Sequence, residues 1–90
     1  MGTAEVTVEF FGVPRQRAGR SELVVEAGTV AEALSAVARL CPGLAGLVQL
    51  DGRLAPHYLL SINGSEFVGD VQRPLRQGER VLFLSADVGG

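Results

Sequence analysis

Catalysis by side chains needs groups that can meet, a nucleophile beside a base or several ligands around a metal, and this chain of 90 residues has few. His57 is the single histidine, between Pro56 and Tyr58, and Cys41 is the single cysteine, at the end of an apolar periodic stretch. Neither has a second member at a recognisable catalytic or zinc-binding spacing, so both read as structural residues. The ten carboxylates are dispersed, with no cluster of metal-ligand spacing and no glycine pattern of a phosphate-binding loop. What remains chemically distinctive is the end of the sequence, "SADVGG", where Gly89 and Gly90 follow the apolar run Val81-Leu82-Phe83-Leu84 almost at once. Two residues without side chains have the backbone freedom and slimness to thread a narrow channel in another protein and to present the Gly90 carboxylate there. The expectation is a chain that supplies a reacting group and has no active site of its own.

All eight basic residues are arginine, and there is no lysine. Compositional bias toward arginine is one explanation, since helix and surface positions accept either residue. The other is chemical. A carboxyl terminus activated as an acyl donor would be attacked by an ε-amine on the same molecule, whereas a guanidinium of far higher pKa would leave it alone.

The positioning elements follow from periodicity. Val6, Val8 and Phe10 alternate with Glu5, Thr7 and Glu9, the pattern of a half-buried strand, and Phe11 falls on the polar side. "GVPRQRAG", residues 12–19, has Pro14 and two glycines and reads as a connection to a second strand over residues 22–26, with Leu23 and Val25 on one face. Thr29 and Glu32 have capping-box spacing and predict a helix from Val30, whose apolar stripe Val30, Ala33, Leu34, Val37 and Cys41 ends at Pro42-Gly43. Residues 44–56 carry mixed signals and read as loop or short turns. Tyr58–Ile62 is a strand candidate, Asn63-Gly64 a turn, and Phe67-Val68 a short returning strand. After Gln77-Gly78 the last strand, Arg80–Ser85, is apolar on both faces, which places it in the middle of a sheet or beneath a partner. One helix packed across one face of a mixed sheet, an α+β fold, accommodates this order. The opposite face would then show Phe11, Leu82 and Leu84 to solvent, a patch suited to a partner.

Composition narrows the class. The chain has room for one domain and one small core, and with 47% hydrophobic residues it is not a disordered segment. Its apolar runs are too short to span a bilayer, no basic and then apolar leader opens it, and one cysteine offers no disulfide framework, so a cytoplasmic setting is expected. A net charge of −2 without basic runs is not the footprint of a nucleic-acid binder.

In order along the chain, "VTVEFFG", Ala18-Gly19, Thr29-Val30-Ala31-Glu32-Ala33-Leu34, Cys41-Pro42-Gly43-Leu44, Ile62-Asn63-Gly64 and "LRQGERV" leading to Gly89-Gly90 resemble the MoaD/ThiS sulfur carriers of the ubiquitin-like β-grasp fold. The resemblance covers nearly the whole chain. It departs before the glycines, where members often carry two prolines and this chain has Ser85-Ala86-Asp87. It implies a β-grasp domain over residues 1–86, strand order 2-1-5-3-4, and a flexible tail over residues 87–90. It also implies a protein cosubstrate with no bound cofactor or metal. An E1-like adenylating enzyme would use ATP and Mg²⁺ on the Gly90 carboxylate, and a sulfur-donor persulfide protein would convert the adenylate to a thiocarboxylate. An acceptor enzyme such as the molybdopterin synthase large subunit would then take the sulfur. By the same resemblance Phe11, Val68, Leu82 and Leu84, with Asp87 and Val88 in the tail, bind partners while Gly89 and Gly90 enter the active site. "EFFG" and "RPLRQGERV" look most like the molybdopterin synthase small subunit; carriers for thiazole, cysteine or tRNA thiolation, a ubiquitin-like modifier, and a plain interaction module remain alternatives.

Overall fold

The computed structural model describes residues 3–47 and 58–85. In chain order these form β1 (Ala4–Phe10), α1 (Val13–Ala18), β2 (Glu22–Ala27), α2 (Val30–Leu40), a 3₁₀ helix (Pro42–Leu47), β3 (Tyr58–Ile62), β4 (Glu66–Phe67) and β5 (Arg80–Ser85). The five strands make one mixed sheet in the order β2-β1-β5-β3-β4, with β1 and β5 parallel and the other pairs antiparallel. The strand doubly apolar in sequence is thus the central one. Its Val81 and Phe83 are buried with Val6, Val8 and Phe10 of β1 and Leu60 and Ile62 of β3 in one core cluster. Val30, Ala33, Leu34, Val37 and Cys41, the expected stripe of α2, all belong to that cluster.

Helix α2 begins where its cap requires. The Thr29 hydroxyl accepts from the Glu32 amide at 3.2 Å. The Glu32 carboxylate reaches back one residue further than a capping box would place it, accepting from the Gly28 amide at 2.6 Å. The remaining free amides of the first turn are met by a crossing segment: Val30 donates to the Arg73 carbonyl at 3.0 Å and Ala31 to that of Val71 at 2.7 Å. The segment is held in turn by the Leu75 amide donating to the Gly28 carbonyl at 2.9 Å.

Residues 12–19 form a helix where the sequence predicts a connection. Pro14 sits in its first turn, where a missing amide costs nothing, and Gly19 closes it in the left-handed conformation at φ 73°, donating to the Arg15 carbonyl at 3.0 Å. Proline and glycine are therefore the punctuation of a six-residue helix, too short to show a period. Gly43 has a different reason to be glycine. The 3₁₀ helix runs so close under α1 that a Cβ on Gly43 would stand 2.1 Å from the Arg17 carbonyl oxygen. Leu44 beside it is fully buried.

At the far edge, Asn63 and Gly64 turn with φ 55° and 75°, as the sequence predicts, but Ser65 is an extra residue in the connection. Pairing begins at Ile62–Glu66 and Ser61–Phe67, so the returning strand is Glu66–Phe67 and not Phe67-Val68. Residues 48–57, with His57, and residues 86–90, with the expected domain boundary and tail, lie outside the described residues.

Candidate partner-docking face and tail root

Alternation along β5 turns Leu82 and Leu84 to the face opposite α2. Register then says what flanks them: Leu84 is paired with Leu59, and Leu82 with Ser61 on one side and Glu9 on the other. Leu82 and Leu84 are half-buried, Leu59 is 42% exposed, and Phe67, across from Ser61, is 69% exposed. Phe11 follows β1 with its amide still donating to the Phe83 carbonyl at 3.0 Å, and the residue is 39% exposed. Phe11, Leu82 and Leu84 therefore lie where the sequence places them, on the sheet face away from the helix.

Val68 does not. Its amide donates to the Leu60 carbonyl at 2.9 Å, and Leu60 points into the core. The extra residue Ser65 shifts the strand by one, and a one-residue shift moves a side chain to the other face. Val68 consequently packs against the core cluster, with Tyr58 and Val71. Leu59 and Phe67, and Val24 on β2 at 53% exposure, are apolar members of the outer face that the sequence reading missed. Parity could have found Leu59, since Leu60 and Ile62 as core residues force it outward; Phe67 needed the turn register.

The other half of the outer face is charged. Arg80, on β5, pairs with Glu9 of β1 and, at 3.3 Å, with Glu22 of β2. The hydrogen bond it donates to the Glu9 carboxylate is the main reason its guanidinium is held above its ordinary pKa. The face thus carries Leu82, Leu84, Leu59 and Phe67 over β5, β3 and β4, while over β1 and β2 the ion pairs of Arg80 lie beside a single exposed apolar residue, Val24.

Cys41 is buried at the C-terminal cap of α2. Among the described residues no group of His, Cys, Asp and Glu could hold a metal ion, and no helix is long and apolar enough to cross a membrane. Asp87, Val88, Gly89 and Gly90 lie outside the described residues; the last described residue is Ser85, where β5 ends.

One helix held across a mixed sheet of order β2-β1-β5-β3-β4 is the ubiquitin-like β-grasp, so the fold expected from the family resemblance is the fold found. Among solved structures, the chain is similar to the small archaeal modifier protein 1 of Methanosarcina acetivorans, at 23% identity and a TM-score of 0.86 over 100% of both chains. It is also similar to the Haloferax volcanii HVO 2177 protein, at 29% identity and a TM-score of 0.79 over 99% of this chain and 89% of that one. A third likeness is to a chain of the complex of subunits 1 and 2 of the molybdopterin-converting factor of Helicobacter pylori, at 21% identity and a TM-score of 0.66 over 96% of this chain and 99% of that one. No protein-family model and no curated protein sequence matches the chain.

Proposed function

We propose that the chain is a sulfur carrier whose Gly90 carboxylate is the reacting group. The observation that carries this reading is the placement of β5: the central strand, apolar on its outer face, ends at Ser85 and is followed in sequence by Ala86-Asp87-Val88-Gly89-Gly90. A partner seated on that face would receive whatever follows the strand. A bare carboxylate is a poor acyl donor, so an E1-like adenylating enzyme would use ATP and Mg²⁺ to give the acyl-adenylate, with AMP as leaving group. The outer sulfur of a persulfide protein then attacks the adenylate and displaces AMP, giving an acyl disulfide, and a thiol cleaves its S–S bond, leaving sulfur on the Gly90 carbonyl and the donor in a disulfide with that thiol. The thiocarboxylate so formed is a nucleophile that delivers sulfur in an acceptor's pocket, and the carrier itself catalyses nothing. Phe11, Leu59, Leu82, Leu84 and Phe67 would dock the partners, with Asp87 and Val88 lining the entry.

The acceptor we favour is a molybdopterin synthase large subunit, supported by the "EFFG" and "RPLRQGERV" segments and by the likeness to the Helicobacter pylori complex. Carriers for thiazole, cysteine or tRNA thiolation share the same chemistry. The likeness to a small archaeal modifier protein supports a second reading, in which Gly90 is joined to amines of other proteins. With no lysine, the chain offers no side-chain amine of its own to such a reaction.

Intact mass decides between them. A carrier incubated with its E1-like enzyme, ATP, Mg²⁺, a persulfide donor and a thiol reductant should gain the difference between one sulfur and one oxygen, whereas a modifier isolated from cells should carry whole-protein conjugates. Gly89→Val, and a chain lacking Gly89-Gly90, should show neither change while melting like the parent, because exposed termini contribute little to stability. Sulfur accepted by the truncated chain would end the carrier reading.

A further inference from the structure

The stretch between β1 and β2 gathers positive charge that no acid among the described residues answers. Residues 10–21 hold three arginines, Arg15, Arg17 and Arg20, and no Asp or Glu, in a chain whose net charge is −2. The flanking acids Glu9 and Glu22 are both taken by Arg80. Among the described residues every ion pair uses Arg73 or Arg80, and none uses these three. Arg15 and Arg17 also stand in the last turn of α1, where a cation complements the helix dipole, but a six-residue helix has a small dipole and Arg20 lies beyond its cap.

Arg15 and Arg20, with Gln16, Ser21, Gly12 and Gly19, line an open groove. Two guanidiniums, an amide and a hydroxyl, without a carboxylate, are a set of donors for anionic oxygen. The groove lies at the root of the tail, since a Cβ on Gly12 would meet the Cβ of Ser85 at 4.0 Å. From Ser85 to Gly90 there are five residues, which span about 17 Å at most. A protein that takes the Gly90 carboxylate into its active site must therefore bring its surface that close to Ser85, and the groove, whose Gly12 adjoins Ser85, lies within that reach.

We infer that the Arg15–Arg20 groove is a second docking point, which binds Asp or Glu carboxylates on the rim of the channel that receives the tail. It works beside the apolar face: the apolar side chains supply contact area, and the groove supplies orientation and a salt-dependent encounter rate. The inference rests on the carrier reading, and its test is arranged so that the two can fail separately.

Titration of the full chain with hexaglutamate, followed by backbone-amide NMR, should move Gly12, Gln16, Gly19 and Arg20, less so as salt rises. Arg15→Gln/Arg20→Gln should lose the response, and Arg39→Gln/Arg76→Gln, removing two exposed arginines elsewhere, should keep it. Response to inorganic phosphate but not to hexaglutamate would overturn the inference in favour of a small-anion site, and equal loss in the two double variants would reduce it to general charge. In the adenylation assay, Arg15→Gln/Arg20→Gln should raise KM for the carrier roughly three- to tenfold at low salt with kcat unchanged, the gap closing at high salt. Equal KM at low salt for two proteins with the same melting temperature would also overturn it. If the parent chain is not adenylated at all, the carrier reading fails, and the peptide titration still decides the groove.

Discussion

Along β5 the two faces of the sheet can be compared on one strand. Val81 and Phe83 look toward α2 and are 1% and 0% exposed, while their neighbours Leu82 and Leu84 look outward and stay half-buried. The residue types are nearly the same, so the difference is in what covers them. On one side α2 lays down Val30, Ala33, Leu34 and Val37; on the other, no element among the described residues crosses β5. Area that folding has already removed from water sustains the fold, and area left in water can stabilise a complex at about 25 cal/mol per Å² of apolar surface, less the cost of association. Hydropathy alone does not separate the two uses.

Substitution on the covered face should give the largest effect. Phe83 stands 6.0 Å from the Phe10 ring and 6.1 Å, edge to face, from that of Tyr58, at the centre of the sheet. Phe83→Ala would lose those contacts and leave a cavity that the paired strands cannot close, costing about 3–5 kcal/mol, a large share of the stability of so small a domain. Urea unfolding followed by circular dichroism measures it. A loss below about 1 kcal/mol would mean that the central strand is not the keystone of the core.

On the open face the sign of the comparison reverses. Leu84→Glu should change the stability of the free protein by no more than about 1 kcal/mol, because a carboxylate there can still reach water. It should weaken binding to an adenylating or acceptor enzyme by about 1–3 kcal/mol, the usual cost of removing a central interface apolar. Thermal melts and partner affinity measured on the same preparation separate the two. Collapse of stability with intact affinity in the folded fraction would make Leu84 a core residue and leave the docking face without its centre.

The sequence shows the covered face far better than the open one. The stripe of α2 and the alternation of β1 are periodic and long enough to read, and Thr29 with Glu32 marks the helix start; all rest on local spacing. Helix α1 is invisible because six residues hold less than two turns and its Pro14, Gly12 and Gly19 are also the residues of a loop. Val68 went to the wrong face for a reason that is not local in hydropathy: one inserted serine in the turn inverts every side chain after it. The crossing segment over residues 70–75 has no periodicity of its own, since what it offers the start of α2 is the carbonyls of Val71 and Arg73, which any residue carries. The Arg15–Arg20 groove is half legible. The acid-free run can be counted, but its contact with the end of β5 comes from the fold.

Between the two faces runs a rim held by charge, and there the smallest effect is expected. Arg73 donates to Glu66 on β4 at 2.8 Å and to Glu79 at 3.3 Å, and also to the Pro74 carbonyl at 2.7 Å, tying the crossing segment to the turn before β5. The Glu79 side chain is 13% exposed and also accepts from the Arg76 amide at 2.8 Å. The hydrogen bond from Arg73 is the largest reason its carboxyl lies below the ordinary 4.5, and the same partner lowers Glu66. A carboxyl depressed on folding adds stability that is present above its unfolded pKa and is lost as the pH falls through the folded one; the Arg73 pKa, raised by both carboxylates, leaves that residue charged throughout. Stability should therefore be level from neutral pH to about 5 and decline below about 4.5. Glu79→Gln should lower it at pH 7 by about 0.5–1 kcal/mol, a modest figure because solvent screens the rim, and should flatten the acid decline. Urea midpoints at a series of pH values give both numbers. An acid decline as steep in Glu79→Gln as in the parent would show that the Glu79–Arg73 pair does not contribute to it.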